Sequence, residues 1–173
     1  IEKTFALNHL SYFKLSLGLL EKLEQSQEGR IINVASNAHK RFGLALDDLE
    51  NKLNYNGWKS YCRSKLLNVF FTYSFKKEIK SKVTCNCLHP GFVNSNFGNN
   101  NKLYFKSLLN LVRKFVAIST KKGSETIIYL AESDEVKDIS GKYFYKKKEK
   151  DSSIYSYNEE IAKIVWLKTQ KYI

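Results

Sequence analysis

Two short runs of strand character flank one long helical run, and that spacing constrains this chain more than any other feature. Ile31-Ile-Asn-Val-Ala35 is a β-branched stretch ending at Ser36. Val83 to His89 is a second run, closed by the only proline of the chain, Pro90, and by Gly91. Between them, Trp58 to about Lys80 carries Leu66, Leu67, Val69, Phe70, Phe71, Tyr73 and Phe75 and turns polar only at Lys76. Strands that are apolar without alternation are buried on both faces, as in parallel sheets covered by helices. A helix with so little polar surface is buried on more than one side, against the sheet and against a second subunit if the protein is a homo-oligomer. Strand, helix, strand predicts a parallel crossover.

The flanking segments extend the alternation. From Thr4 to about Leu23, apolar residues at Phe5, Leu7, Leu10, Phe13, Leu17 and Leu20 predict a helix with one broad buried face. Residues 37–57 look like a long loop with one helical turn around Leu46 to Leu53. After the Pro-Gly exit, Asn94 to Lys102 is a polar loop and Leu103 to Ile118 an amphipathic helix with a basic side. Ser119 or Thr120 caps a further helix to about Ser133. Gly141 to Tyr145 is a third strand, and Asn158 caps a terminal helix to Lys171. The order predicts an α/β fold with about three parallel strands and flanking helices.

Composition narrows the class. At 173 residues with 43% hydrophobic content, one domain with a real core is expected. The formal charge of +12 suits an anionic ligand, an acidic membrane face or nucleic acid. The dense run Lys146-Lys-Lys-Glu-Lys150 is more simply solvated charge after an edge strand than a nucleic-acid surface. Three cysteines without secreted-scaffold spacing point to reduced thiols in an intracellular setting, and leave cytoplasm and endoplasmic-reticulum membrane undecided. Cys85 and Cys87 project to one face of their strand as small buried hydrophobes. His9, His39 and His89 show no ligand spacing, and no metal is expected.

Chemistry concentrates on three segments. A Tyr four residues before a Lys occurs at 55/59, 61/65, 73/77 and 143/147, so the spacing alone selects nothing. Tyr55 lies in a loop, Tyr143 on a strand, and Tyr73 three turns beyond Tyr61 along the helix. Only Tyr61 and Lys65 fall at the start of a helix that follows a strand ending in Ser36, so both can face the carboxyl edge of the sheet, where open α/β folds bind ligands. Residues four apart share a helix face, which brings the Lys65 ammonium near the Tyr61 phenol. A nearby positive charge favours the phenolate and makes Tyr61 a usable general acid and base. Ser36 can donate a hydrogen bond to the same substrate oxygen.

These segments resemble the short-chain dehydrogenase/reductase family, in which an Asn-Val-Ser-Ser strand end, a Tyr-x-x-x-Lys helix and a Pro-Gly turn occur in this order. The resemblance maps them to Ala35-Ser36, to Tyr61 and Lys65, and to Pro90-Gly91. It adds Asn8, within Leu7-Asn8-His9-Leu10, as the member that completes the catalytic set by a water-mediated relay to Lys65. It implies that Tyr61, Lys65, Pro90, Gly91, Val93 and Ser95 contact a nicotinamide cofactor, Val93 at the carboxamide and Ser95 at the phosphates. The widened gap between Ser36 and Tyr61, the Ala38-His39 pair and Ser140 to Phe144 look most like the retinol dehydrogenase group. That likeness implies hydride transfer between a hydrophobic alcohol or carbonyl and a cofactor that is NADP(H) in preference to NAD(H).

The same resemblance makes the fold the C-terminal part of a Rossmann-like doubly wound parallel sheet. Residues 1–173 are then a single incomplete domain, since the chain contains no Met and no glycine-rich phosphate loop precedes the first helix. A truncated, catalytically inactive relative that binds partners is the alternative. The Leu108 to Val116 segment would be either an apolar lid over the substrate, with Lys106, Arg113 and Lys114 touching a membrane surface, or ordinary packing.

Overall fold

A computed structural model describes residues 1–93 and 118–173. Strand β1 (Arg30–Val34) pairs in parallel with β2 (Thr84–Leu88), Ile31 opposite Cys85 and Asn33 opposite Cys87. Strand β3 (Tyr143–Tyr145) joins β2 in parallel, with Tyr143 opposite Cys87. The sheet order is β1-β2-β3-β4, where β4 (Lys148–Glu149) is a two-residue antiparallel edge. Three parallel strands were expected from sequence; the fourth comes out of the lysine run. Lys146 and Lys147 adopt φ of 50° and 61°, the left-handed pair that closes a two-residue hairpin. The Lys147 N–H donates to Thr126 Oγ1 at 3.2 Å, which anchors the turn on the helix behind it.

Alternation along the strands divides the sheet into two buried faces. Ile31, Ala35, Cys85, Cys87 and Tyr143 meet helix α4 (Gly57–Glu78) through Val69, Phe71 and Phe75. Leu88 and Phe144 meet Leu130 and Val136 on the opposite side. Both faces are covered, so this is a doubly wound α/β sheet. Helix α4 begins where the Asn56 side chain accepts the Lys59 N–H at 2.9 Å. Its third flank, Leu66, Leu67 and Phe70, packs on Phe5, Leu10, Leu49 and Val165 of the same chain. Burial of this helix on several sides therefore arises within one chain. All three cysteines are buried free thiols.

The amino-terminal helical stretch is less regular than one amphipathic helix. It runs as α1 (Lys3–Phe5), a π turn (Ala6–Leu10), α2 (Ser11–Gly18) and, after a bend at Leu19, α3 (Leu20–Gln25). Around Leu46 to Leu53 no helical turn forms. The Asp48 carboxylate takes the N–H groups of Lys52 and Leu53 at 2.9 and 2.8 Å, and Asn51 and Asn54 adopt positive φ. Short polar side chains that bond to nearby backbone compete with helix in this way. The turn of helix in this loop is instead a 3-10 segment at Asn37–Lys40, capped by Ser36.

Helix α5 (Thr120–Glu132) is capped by Ser119, whose Oγ accepts the Lys122 N–H. The Arg30 guanidinium donates to the carbonyls of Leu130 and Ser133, satisfying acceptors at the far end of that helix. Helix α6 (Glu159–Gln170) starts at the Asn158 cap as expected. The Asn94 to Lys102 loop, with Ser95, and nearly all of the Leu103 to Ile118 segment lie outside the described residues. Among the described residues, no helix is long and apolar enough to cross a membrane.

Candidate active site

The carboxyl ends of β1 and β2, the first two turns of α4 and the π turn converge on one rim. Ser36 leaves the sheet in an extended conformation, and its Oγ accepts the Ala38 N–H at 3.2 Å as the cap of the 3-10 turn. The same hydroxyl lies near enough to the Tyr61 phenol to draw its pKa down against the effect of burial. A hydroxyl has one proton and two lone pairs. With one lone pair held by the cap, the Ser36 proton remains available to an oxygen on the Tyr61 side.

Lys65 is almost buried, and its Nζ donates to the Val34 carbonyl at 2.9 Å, where β1 ends. Two phenol rings flank it, Tyr12 at 5.8 Å and Tyr61 at 5.9 Å from Nζ to ring centroid. Burial lowers the Lys65 pKa to about 8. For the phenol the outcome differs from the expectation. Burial raises the Tyr61 pKa, the nearby Ser36 hydroxyl pulls it back, and burial is what governs it. Sharing a helix face brings the two side chains together, but the Lys65 ammonium is drawn to the strand-end carbonyl. Tyr61 is thus a protonated phenol in this arrangement.

Asn8 sits in the π turn, half-buried, and its Nδ2 donates to Ser64 Oγ at 3.1 Å. Ser64 Oγ in turn donates to the Tyr61 carbonyl at 2.7 Å. The Asn8 amide therefore meets α4 directly through Ser64, bracing the backbone that carries the phenol. A π turn beside a functional cluster is a common pairing, because the widened turn redirects side chains. Sequence reasoning missed Tyr12. It lies four residues after Asn8, one helical turn on, and an aromatic-rich helix hid that spacing.

On the other side of the rim, His89 stacks on Tyr145 with centroids 4.0 Å apart, and its Nδ1 accepts the Gly91 N–H at 3.2 Å. Burial, with His39 and Lys40 nearby, lowers the His89 pKa to about 4. Gly91 has a φ of 90°, a conformation that suits glycine, and a Cβ there would come within 3.2 Å of Ile118. Val93 pairs in parallel with Ile118 and presses on Gly123, where a Cβ would meet it at 2.6 Å. Pro90, Gly91 and Val93 thus line the exit of β2, with Gly91 and Val93 turned towards Ile118, while Ser95 falls outside the described residues. His9, fully buried, bonds through Nε2 to Thr169 Oγ1 at 3.0 Å. Among the described residues no three His, Cys, Asp or Glu side chains gather as a metal site.

The family model for short chain dehydrogenase matches residues 1–103. Human retinol dehydrogenase 14 is 38% identical over 95% of this chain, and human retinol dehydrogenase 13 is 33% identical over 99% of it. The chain covers 50% and 54% of those two proteins, so it spans about half the length of the curated relatives it matches. A crystal structure of an uncharacterized protein from Mycobacterium paratuberculosis matches with a TM-score of 0.70 at 20% identity, covering 96% of this chain and 57% of that one. That likeness supports the fold.

Proposed function

The chain belongs to the short-chain dehydrogenase family, and from that premise we propose that it carries the proton-transfer half of an oxidoreductase site acting on a hydrophobic alcohol or carbonyl. The observation that carries the reading is the nearly buried Lys65 ammonium, 5.9 Å from the centre of the Tyr61 ring and bonded to the end of the strand that delivers Ser36. The residues present fit the nicotinamide and ribose portion of a dinucleotide. Lys65 donates to a single carbonyl among the described residues, which leaves N–H donors for a sugar diol. The Gly91 turn keeps the strand exit free of a side chain.

A bound nicotinamide supplies or accepts the hydride. Tyr61, Lys65, Pro90, Gly91, Val93 and Ser95 would hold it, and likeness of the 35–39 and 140–144 segments to retinol dehydrogenases supports NADP(H) over NAD(H). In reduction, Tyr61 gives its proton to the carbonyl oxygen, consistent with a phenol that burial keeps protonated. In oxidation Tyr61 must first release its own proton to solvent, and the phenolate then takes the proton of the alcohol. Ser36 donates to the same oxygen and steadies the charge that grows there. Lys65 keeps positive charge at the phenol and turns its remaining donors to the ribose. Asn8 holds the turn of α4 from which Tyr61 projects, through Ser64.

In the full chain as it occurs, Tyr61→Phe should lower turnover of an apolar alcohol with NADP about 1000-fold while leaving cofactor affinity within about twofold. Undiminished turnover in that variant refutes the assignment. A second reading, a relative that binds partners without catalysis, draws support from β1, which has a strand partner on one side only among the described residues. It predicts no turnover by the unsubstituted protein in the same assay.

A further inference from the structure

His39 belongs to none of the roles above, yet it is 1% exposed and lies one 3-10 turn from Ser36. Its Nδ1 is 2.6 Å from the Ser36 carbonyl, which can only accept, so Nδ1 carries a proton. Its Nε2 is 3.0 Å from the Ser153 N–H, which can only donate, so Nε2 is bare. The two partners together fix a neutral imidazole in one tautomer. Burial lowers its pKa and agrees with that form. The ring packs at 5.0 Å on Tyr143 of β3.

A second strap runs alongside. Lys40 Nζ donates to the Asp151 carbonyl at 3.1 Å. The segment they grip is itself held: Ser152 is buried, and its Oγ bonds to Tyr73 and to Ser156 at 2.7 and 2.6 Å. The 3-10 turn that orients the Ser36 hydroxyl is thus clamped from outside by residues more than a hundred positions later.

We propose that His39 is a positioning residue for Ser36, a tautomer-locked bridge that holds the Ser36–Ala38 turn against the Asp151–Ser153 segment. The proposal rests on the oxidoreductase reading of this rim. A capping hydroxyl points where its turn points, so loosening the Ser36 carbonyl should misdirect Oγ and leave Tyr61 and Lys65 in place. Kinetically, that lowers kcat and leaves KM and cofactor affinity in place.

The test is a double-mutant cycle in the full chain. His39→Leu, which keeps bulk and removes both hydrogen bonds, should lower kcat about tenfold to 100-fold with KM within about twofold. His39→Asn, whose amide N–H can still reach the Ser36 carbonyl, should recover part of that loss. In a Ser36→Ala background, His39→Leu should cause no further loss, because the group it positions is gone. An equal fold-loss in both backgrounds overturns the positioning role and leaves the oxidoreductase reading intact. Full turnover by Ser36→Ala alone overturns the Ser36 assignment, and this inference with it. Should His39→Leu fail to fold, Ser153→Pro carries the same comparison. It deletes the donor to Nε2 at a φ of −72°, which proline accepts, and unchanged kcat there also counts against the proposal.

Discussion

Helix α4 carries the same Tyr-x-x-x-Lys spacing twice, and its two copies live in opposite chemistry. At the amino end, Tyr61 meets the Ser36 hydroxyl, and Lys65 lies nearly buried between two phenol rings at the strand rim. Three turns on, the Tyr73 hydroxyl is bonded to Ser152, its ring stacks on Tyr157 at 5.4 Å, and Lys77 reaches out to Glu159 in an exposed ion pair. Both tyrosines are pushed upward in pKa by burial. What separates them is the sheet: strand ends and the Ser36 turn face one, and a closed polar network faces the other. Spacing proposes a catalytic pair, and the end of the sheet at which it falls decides.

The contrast can be broken most severely at Lys65. Lys65→Met should cut turnover on the order of 100-fold, yet raise stability at pH 7, because it removes a buried charge. The sign follows from proton binding. Lys65 titrates near 8 when folded against 10.5 ordinarily, so between those values the unfolded chain holds more protons and the wild type gains stability as pH rises. The advantage of the variant is therefore largest below pH 8 and shrinks towards 10.5. Urea titrations of both proteins across that window measure it. A variant that is less stable at pH 7 would place Lys65 among structural residues.

Tyr73→Phe sharpens the comparison from the other end. It should cost about 1 kcal/mol of stability, the worth of the Ser152 hydrogen bond, with turnover per folded molecule unchanged. Loss of turnover as large as in Tyr61→Phe would erase the distinction between the two ends. The smallest effect belongs to Lys77→Met. Its ion pair joins two exposed side chains, so denaturation midpoints should shift by no more than about 0.5 kcal/mol.

Much of the architecture was legible because burial writes itself into composition. The runs at Ile31 and Val83, apolar but for Asn33, Thr84 and Asn86, became paired parallel strands, and Asn158 became the cap that its position announced. The lysine run was opaque for the opposite reason. Nothing in Lys146 and Lys147 advertises a left-handed turn, a conformation that Asn and Gly usually signal, so β4 stayed hidden. The loop before α4 misled through Asp48, whose carboxylate captures the backbone donors that a helical turn would need.

At the rim, residue identity and order were readable, while distances were not. The sequence placed Lys65 on the same helix face as Tyr61. It could not say that the ammonium would donate to the Val34 carbonyl, because that contact joins a helix to a strand 31 positions earlier. Tyr12 and His39 were missed as parts of the site for the same reason, since their partners come from other elements.

The Arg30 guanidinium closes on carbonyls of Leu130 and Ser133, 100 and 103 positions downstream. During synthesis, therefore, β1 and β2 can leave the ribosome and pair long before the residues that cover their second face exist. The nascent sheet waits with one greasy side bare, and joining segments so distant along the chain is slow. Chaperone dependence in the cell would follow from that delay in assembly, whatever the finished molecule catalyses.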